Sequence, residues 1–411
     1  MKTMLFLEEA IQTILLSIET TQEESVSLEQ CYGRVNSRDV VADADIPPFD
    51  NSSMDGYALR SEDVKGASDQ YPVRLRIVEH IRAGSVPQKK LEPLQASRIL
   101  TGAQVPEGAD AVVVQESTRR HNGIVEVLKE VEKGANIRRV GEDIKVGTVC
   151  VPAGKLIKAP DMGIMATVGK DPIHVYVRPK VAILTTGDEL MAPGKSLEPG
   201  KIRDSNTYSL IGLVTQYGGI PINLGIARDN PEHIRQKLEL GLQRADMVIT
   251  SGGVSVGDHD EVQGVFRDMG VELSFWKVKM KPGKPLLFGL YKGKLVFGVP
   301  GNPASSMIVF EQVLRPALLK MTGRTDLSLP VVEAYLMEDL RSQGDRLTFL
   351  RVVLQRKGDR FHVFSAGSQS SGILSSIASA HGLVAVPIGQ KLLSKGQRLN
   401  VQILDWSFLS L

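Results

Sequence analysis

The first regular pattern along the chain is helical. Leu7, Ile11, Ile14, Leu15 and Ile18 recur at three- and four-residue spacing and predict an amphipathic opening helix. Glu8 and Glu9 interrupt the apolar run and no small-residue cleavage site follows, so the segment does not read as a secretory leader. A strand is expected over 33–41. From 71 to 132 short β-type runs (73–78, 97–100, 111–114, 124–127) alternate with Gly and Pro breaks, which predicts a small all-β domain. A short helix is expected over 161–168. Beyond Arg178 the pattern changes to strands at 181–186, 220–227, 247–250, 286–290 and 295–299, with helices at 205–217, 232–242, 261–269 and 304–321. That alternation predicts a central, doubly wound, mostly parallel α/β domain with right-handed crossovers. After residue 331 the β-type runs return (331–336, 348–354, 360–364, 383–387, 399–404) and predict a small C-terminal β domain. The fold class is multidomain α/β.

Length and charge narrow the function classes. At 411 residues the chain is too long for one core. Lys plus Arg is 49 and Asp plus Glu is 47, a net +2, which provides no broad basic face for nucleic acid. No apolar run reaches the ~18 residues a membrane helix needs. The two cysteines, Cys31 and Cys150, and seven scattered histidines have no zinc spacing, and so little cysteine suits a reducing, cytoplasmic setting. Any anion binding must be local.

Candidate chemistry concentrates between Asp246 and Asp260. The apolar run 247–250 ends in Ser251, Gly252, Gly253, Ser255 and Gly257, followed by Asp258 and Asp260 and then a helix start near Glu261. Glycines at a strand exit let backbone N–H groups approach a ligand, and the helix start adds positive potential. With the acidic pair, the stretch reads as a phosphate-and-metal site; the plainer alternative is a turn between strand and helix. Asp188, Glu189 and Asp229 also follow the carboxyl ends of expected strands, the edge where open α/β sheets bind ligands. Asp229 could equally cap the helix that begins at Pro231. In Trp276-Lys-Val-Lys-Met-Lys281, alternation would put Lys277, Lys279 and Lys281 on one strand face, followed by Lys284 and the Pro300-Gly-Asn-Pro303 turn. This reads as an anion site or as a lysine-guarded edge strand. The polar stretch 50–55 binds a ligand or caps its own turns, and the charge cluster Arg138–Asp143 reads as a solvated turn; Thr101 stands at the mouth of another tight turn.

Taken in order, these motifs resemble the molybdopterin molybdotransferases of the MoeA type and the C-terminal region of gephyrin. The resemblance is carried by Pro47-Pro-Phe-Asp-Asn-Ser-Ser-Met-Asp-Gly-Tyr57, Thr101-Gly-Ala with Pro106, Gly141-Glu-Asp-Ile144, Thr186-Gly-Asp-Glu-Leu190, Asp204-Ser-Asn206, Thr250-Ser-Gly-Gly-Val-Ser-Val-Gly257, Lys281-Pro-Gly-Lys-Pro285 and Gly298-Val-Pro-Gly-Asn-Pro303. It implies four structural domains: a linker from 1–45 and 143–178, an inserted β-rich domain at 46–142, a molybdopterin-binding α/β domain at 179–327 and a β domain at 328–411. It also implies a homodimer, with a molybdopterin adenylyltransferase as the upstream partner. The implied reaction converts adenylylated molybdopterin and molybdate to molybdenum cofactor and AMP, assisted by Mg²⁺. By the same resemblance Asp55, Thr101, Asp143, Lys277 and Lys281 are catalytic, and Glu189, Asp229 and Asp260 hold the metal. Gly252, Gly253, Ser255, Gly257, Lys284, Pro300, Asn302 and Ser371 bind substrate. The rival readings are a pterin adenylyltransferase, which would consume ATP, and a non-catalytic gephyrin-like scaffold, which would carry a further domain. A nicotinamide dehydrogenase is disfavoured, since no Gly-x-Gly-x-x-Gly follows the first α/β strand.

Overall fold

A seven-stranded sheet forms the centre of the molecule, a computed structural model that describes residues 1–254 and 261–409. Its strand order is Lys2–Leu5, Glu272–Val278, Leu287–Tyr291, Lys294–Val299, Met247–Ser251, Lys180–Thr186 and Ile220–Ala227. The last four run parallel, with 247–251 and 180–186 innermost. Both of these strands are buried on both faces, which explains their continuous apolar sequences. The strands 287–291 and 294–299 instead form an antiparallel hairpin. Helices cover the two faces, giving one core around Phe275, Phe288, Phe297, Phe310 and Leu314 and another around Leu238, Val248, Val262 and Phe266.

The opening segment departs from expectation. Lys2–Leu5 is a strand added in parallel to Glu272–Val278, and the helix Leu7–Leu16 buries Leu7, Ala10 and Ile14 in the central core. Residues 2–18 therefore belong to the α/β domain and not to the linker. The linker core lies around Cys31, Val40, Val151, Ile157, Met165 and Val175. Of the strand expected over 33–41, only Val40–Val41 is regular. The inserted domain is an open six-stranded sheet packed over Tyr57, Leu75, Val113 and Val125. In the C-terminal domain the strands 347–357, 360–365, 331–336, 398–403 and 382–386 pair successively and close into a barrel.

The lysine strand is also corrected. It breaks at Lys279: Glu272–Val278 stays in the central sheet, whereas Met280–Lys281 pairs in parallel with the barrel strand 347–357. Lys277 has φ +70°, a backbone region that non-glycine residues rarely adopt, so the strand is irregular there. The Lys277 ammonium lies 3.5 Å from the centre of the Trp276 ring, and that of Lys279 lies 4.2 Å from the Phe6 ring. The three lysines therefore do not lie on one continuous strand. Among the described residues, no helix is long and apolar enough to cross a membrane.

Candidate active site

A cleft of about 600 Å³ opens at the carboxyl ends of the parallel strands. Glu189, Asp229, Gly252, Gly253, Pro300 and Asn302 line it together, so the sheet edge collects residues spread over more than a hundred positions. Each arrives there by strand topology. Glu189 follows the 180–186 strand, Asp229 the 220–227 strand, Gly252 and Gly253 the 247–251 strand, and Pro300 the 294–299 strand. The helix Pro231–Arg244 is capped by Asn230, whose side chain accepts the His233 N–H at 3.0 Å. Asp229 is thereby free of capping. It exchanges contacts with the neighbouring loop instead: the Asp188 N–H donates to Asp229 Oδ2 at 3.2 Å, and the Asp229 N–H to Asp188 Oδ1 at 3.4 Å.

The glycines act differently from the expected cradle. The Gly252 N–H donates to the Val299 carbonyl at 3.2 Å and is not available to a ligand. Glycine is needed there for close approach, because a Cβ would lie 2.6 Å from the Thr186 carbonyl oxygen and φ is +97°. The Thr186 hydroxyl beside it is buried without a hydrogen-bond partner among the described residues. Ser255, Gly257, Asp258 and Asp260 lie outside the described residues.

A buried polar lattice holds the floor of the cleft, and the candidate site residues named from the sequence did not include it. Asn206 Nδ2 donates to Ser251 Oγ at 2.8 Å and to the Gly301 carbonyl at 2.7 Å, and Ser251 Oγ donates to the Pro300 carbonyl at 3.1 Å. Asp204, 5% exposed, accepts the Thr185 hydroxyl at 2.9 Å and the Thr207 N–H at 3.1 Å, in the first turn of the helix Asn206–Gln216. The available signal was the Asp204-Ser-Asn206 motif at a helix start, placed beside the other strand ends.

The C-terminal domain reaches the same floor. Asn302 Nδ2 donates to Ser371 Oγ at 3.1 Å, the Ala304 N–H to the Ser371 carbonyl at 3.1 Å, and Gly372 lines the cleft. Buried Arg351 holds this loop by donating to the Ser368 and Ser370 carbonyls at 3.0 and 3.1 Å.

The remaining candidates stand apart. Asp55 and Thr101 do meet: the Thr101 N–H and hydroxyl both donate to Asp55 Oδ1 at 2.7 Å, which holds the Asp55 carboxyl below its ordinary pKa. That pair is in the inserted domain, and Asp143 is exposed in the linker, whereas among the described residues the cleft is lined from 185–303 and by Gly372. Lys277, Lys281 and Lys284 are half-buried and do not line the cleft. Lys277 is one contact removed, since its Trp276 partner donates from Nε1 to the carbonyl of Val254, a cleft residue, at 3.2 Å.

Fold and cleft together define a class: a multidomain α/β protein that takes a polar ligand at the strand ends of its central sheet, between carboxylates and a glycine-bearing floor. Residues 5–169 match the MoeA N-terminal region (domain I and II), 182–320 a probable molybdopterin binding domain, and 333–404 the MoeA C-terminal region (domain IV). The chain is 38% identical over 379 residues to a molybdopterin molybdenumtransferase of Nostoc sp., covering 91% of this chain and 87% of that one. A molybdopterin molybdenumtransferase of Staphylococcus epidermidis is 34% identical over 405 residues, covering 97% and 96%. The crystal structure of a molybdopterin biosynthesis MoeA protein from Pyrococcus horikosii superposes with a TM-score of 0.83 at 33% identity, covering 97% of this chain and 99% of that one. The chain belongs to the MoeA family of molybdopterin molybdenumtransferases.

Proposed function

We propose that this enzyme inserts molybdate into adenylylated molybdopterin and releases AMP, working as a cytoplasmic homodimer downstream of a molybdopterin adenylyltransferase. The observation that carries the reading is the convergence of Glu189, Asp229, Gly253, Asn302 and the Ser371 loop on one cleft. Breaking a phosphoanhydride requires its negative charge to be neutralised and the attacking group held in line. Among the described residues the Gly253 N–H has no protein acceptor and is a donor for a phosphate oxygen. Asn302, fixed by Ser371, orients the ligand from the opposite wall.

Glu189 and Asp229 offer hard oxygen donors on the cleft, the ligand type Mg²⁺ prefers. Among the described residues no three His, Cys, Asp or Glu side chains form a metal group, and Asp260 would be the third carboxylate. Held by these three, Mg²⁺ would supply charge neutralisation on the phosphate oxygens. Lys277 and Lys281 would serve the oxyanion after a local rearrangement, since neither lines the cleft. The Asp55–Thr101 pair and Asp143 would enter from the second subunit of a two-fold dimer, which gives these residues a route to a cleft they do not line in their own subunit. A direct test supplies the purified enzyme either with molybdopterin and ATP or with adenylylated molybdopterin and molybdate. AMP and cofactor should form only from the second mixture; ATP consumption in the first would favour an adenylyltransferase.

A further inference from the structure

The helix Asn206–Gln216 joins the cleft, at its first residues, to a second cavity at its last. At 1.5 Å per residue its length sets the two about 16 Å apart. The second cavity, about 270 Å³, opens where the linker core meets the central domain. Three arginines (Arg34, Arg178, Arg324) and three tyrosines (Tyr32, Tyr176, Tyr217) line it, with no carboxylate among the described lining residues.

The protein's own contacts leave these cations largely uncompensated. Arg34 has a side chain only 10% exposed; it pairs with Glu24 and donates to the Tyr176 carbonyl at 2.9 Å, yet its Nε is buried without a partner among the described residues. Among the described residues, Arg178 and Arg324 form neither an ion pair nor a side-chain hydrogen bond. Arginines near helix C-termini commonly cap carbonyls. Backbone groups do that here: the Tyr217, Gly218 and Gly219 N–H groups return to Leu213, Thr215 and Val214, and those of Thr322, Gly323 and Arg324 to Leu318, Lys320 and Leu319. Glu311, behind Tyr217, is taken up by the Tyr217 hydroxyl at 2.8 Å and by Arg315 at 3.5 Å.

We propose that this seam cavity binds a phosphate-class oxyanion, gripped by Arg178 and Arg324 and backed by Arg34. Guanidinium groups suit tetrahedral oxyanions through paired N–H donors. The space admits either inorganic phosphate with its waters or a small phosphomonoester. Because Arg34 belongs to the linker and Arg324 to the end of the central domain, a bound anion bridges the two. The site is separate from the cleft and independent of the reaction proposed for it.

The test titrates the full-length protein calorimetrically, in chloride buffer, with inorganic phosphate and in a second arm with glycerol phosphate. Wild type is compared with Arg178→Gln/Arg324→Gln, and the single variants give the same test should the double variant fail to fold. Phosphate should bind wild type and lose at least ~tenfold in affinity in the variants, with the unliganded melting temperature unchanged. Tighter binding of glycerol phosphate than of phosphate identifies a phosphomonoester site; the reverse identifies a free oxyanion site. Equal phosphate affinity in wild type and variants, or no binding of either probe by wild type up to ~50 mM, overturns the proposal.

Discussion

Asn206→Ala is the sharpest probe of how the cleft is built. The residue is 8% exposed, and its two bonds, 2.8 Å to Ser251 Oγ and 2.7 Å to the Gly301 carbonyl, join the Ser251–Pro300 bond in tying the 251–253 loop to the 300–303 loop. The two loops also touch through glycine, since a Cβ at Gly301 would stand 3.5 Å from the Gly252 Cα. Removing the amide forfeits two hydrogen bonds of about 1 kcal/mol each and leaves the Gly301 carbonyl short of a donor, for a total of about 2–4 kcal/mol. If all of that appears as misplacement of the cleft floor, kcat/KM for AMP release should fall roughly 30- to 900-fold. Asn206→Asp, which puts an acceptor against the Gly301 carbonyl, should be at least as damaging. The assay is steady-state AMP release at saturating Mg²⁺, beside circular dichroism to confirm folding. Activity of a well-folded Asn206→Ala enzyme within twofold of wild type would refute the reasoning, because the loops would then be held by something else.

Three other outcomes follow from the same structure. Burial pushes Glu311 up to about 7, against the opposing pull of the Tyr217 hydroxyl and Arg315. The folded chain therefore keeps a proton that the unfolded chain has lost, so stability should fall by about 3 kcal/mol as pH rises from ~4.5 to ~7 and then level off. The difference in urea midpoint between wild type and Glu311→Gln across that window measures it, and parallel pH profiles would exclude it. Gly252→Ala, forced to hold φ +97° with a Cβ 2.6 Å from the Thr186 oxygen, should cost about 1–3 kcal/mol or displace the loop, read by thermal melting and by AMP release. Finally, co-expressed Asp55→Ala and Asp260→Ala subunits should recover ~25% of wild-type activity if the site is shared, since half the random dimers then hold one intact site. No recovery in confirmed mixed dimers would put both residues in one subunit's site.

Much of the central domain could be read from the sequence because its strands are buried on both faces, so 180–186 and 247–251 are continuous apolar runs. The placing of Glu189 and Asp229 on one edge then follows from parallel connections alone. Long-range pairing was hidden: Lys2–Leu5 is a short strand with only Leu5 buried, and its partner is some 270 residues away. The single lysine strand is broken at Lys279, close to the positive φ of Lys277, which strand periodicity does not anticipate. The donor role expected of Gly252 failed because the Val299 carbonyl already takes its N–H, a fact of sheet register. The Asn206 lattice was not foreseen either, because a buried amide's partners are loop carbonyls whose positions only the fold determines.

In the proposed reaction the cleft uses molybdate to discharge adenylylated molybdopterin. The most direct measurement follows AMP release by the purified enzyme with adenylylated molybdopterin, with molybdate and Mg²⁺ added singly and together. The account predicts substantial AMP release and molybdenum cofactor only when both are present, with the rate lowered at least ~tenfold in Asp229→Asn. Equal AMP release with and without molybdate, or full activity in Asp229→Asn, would contradict it.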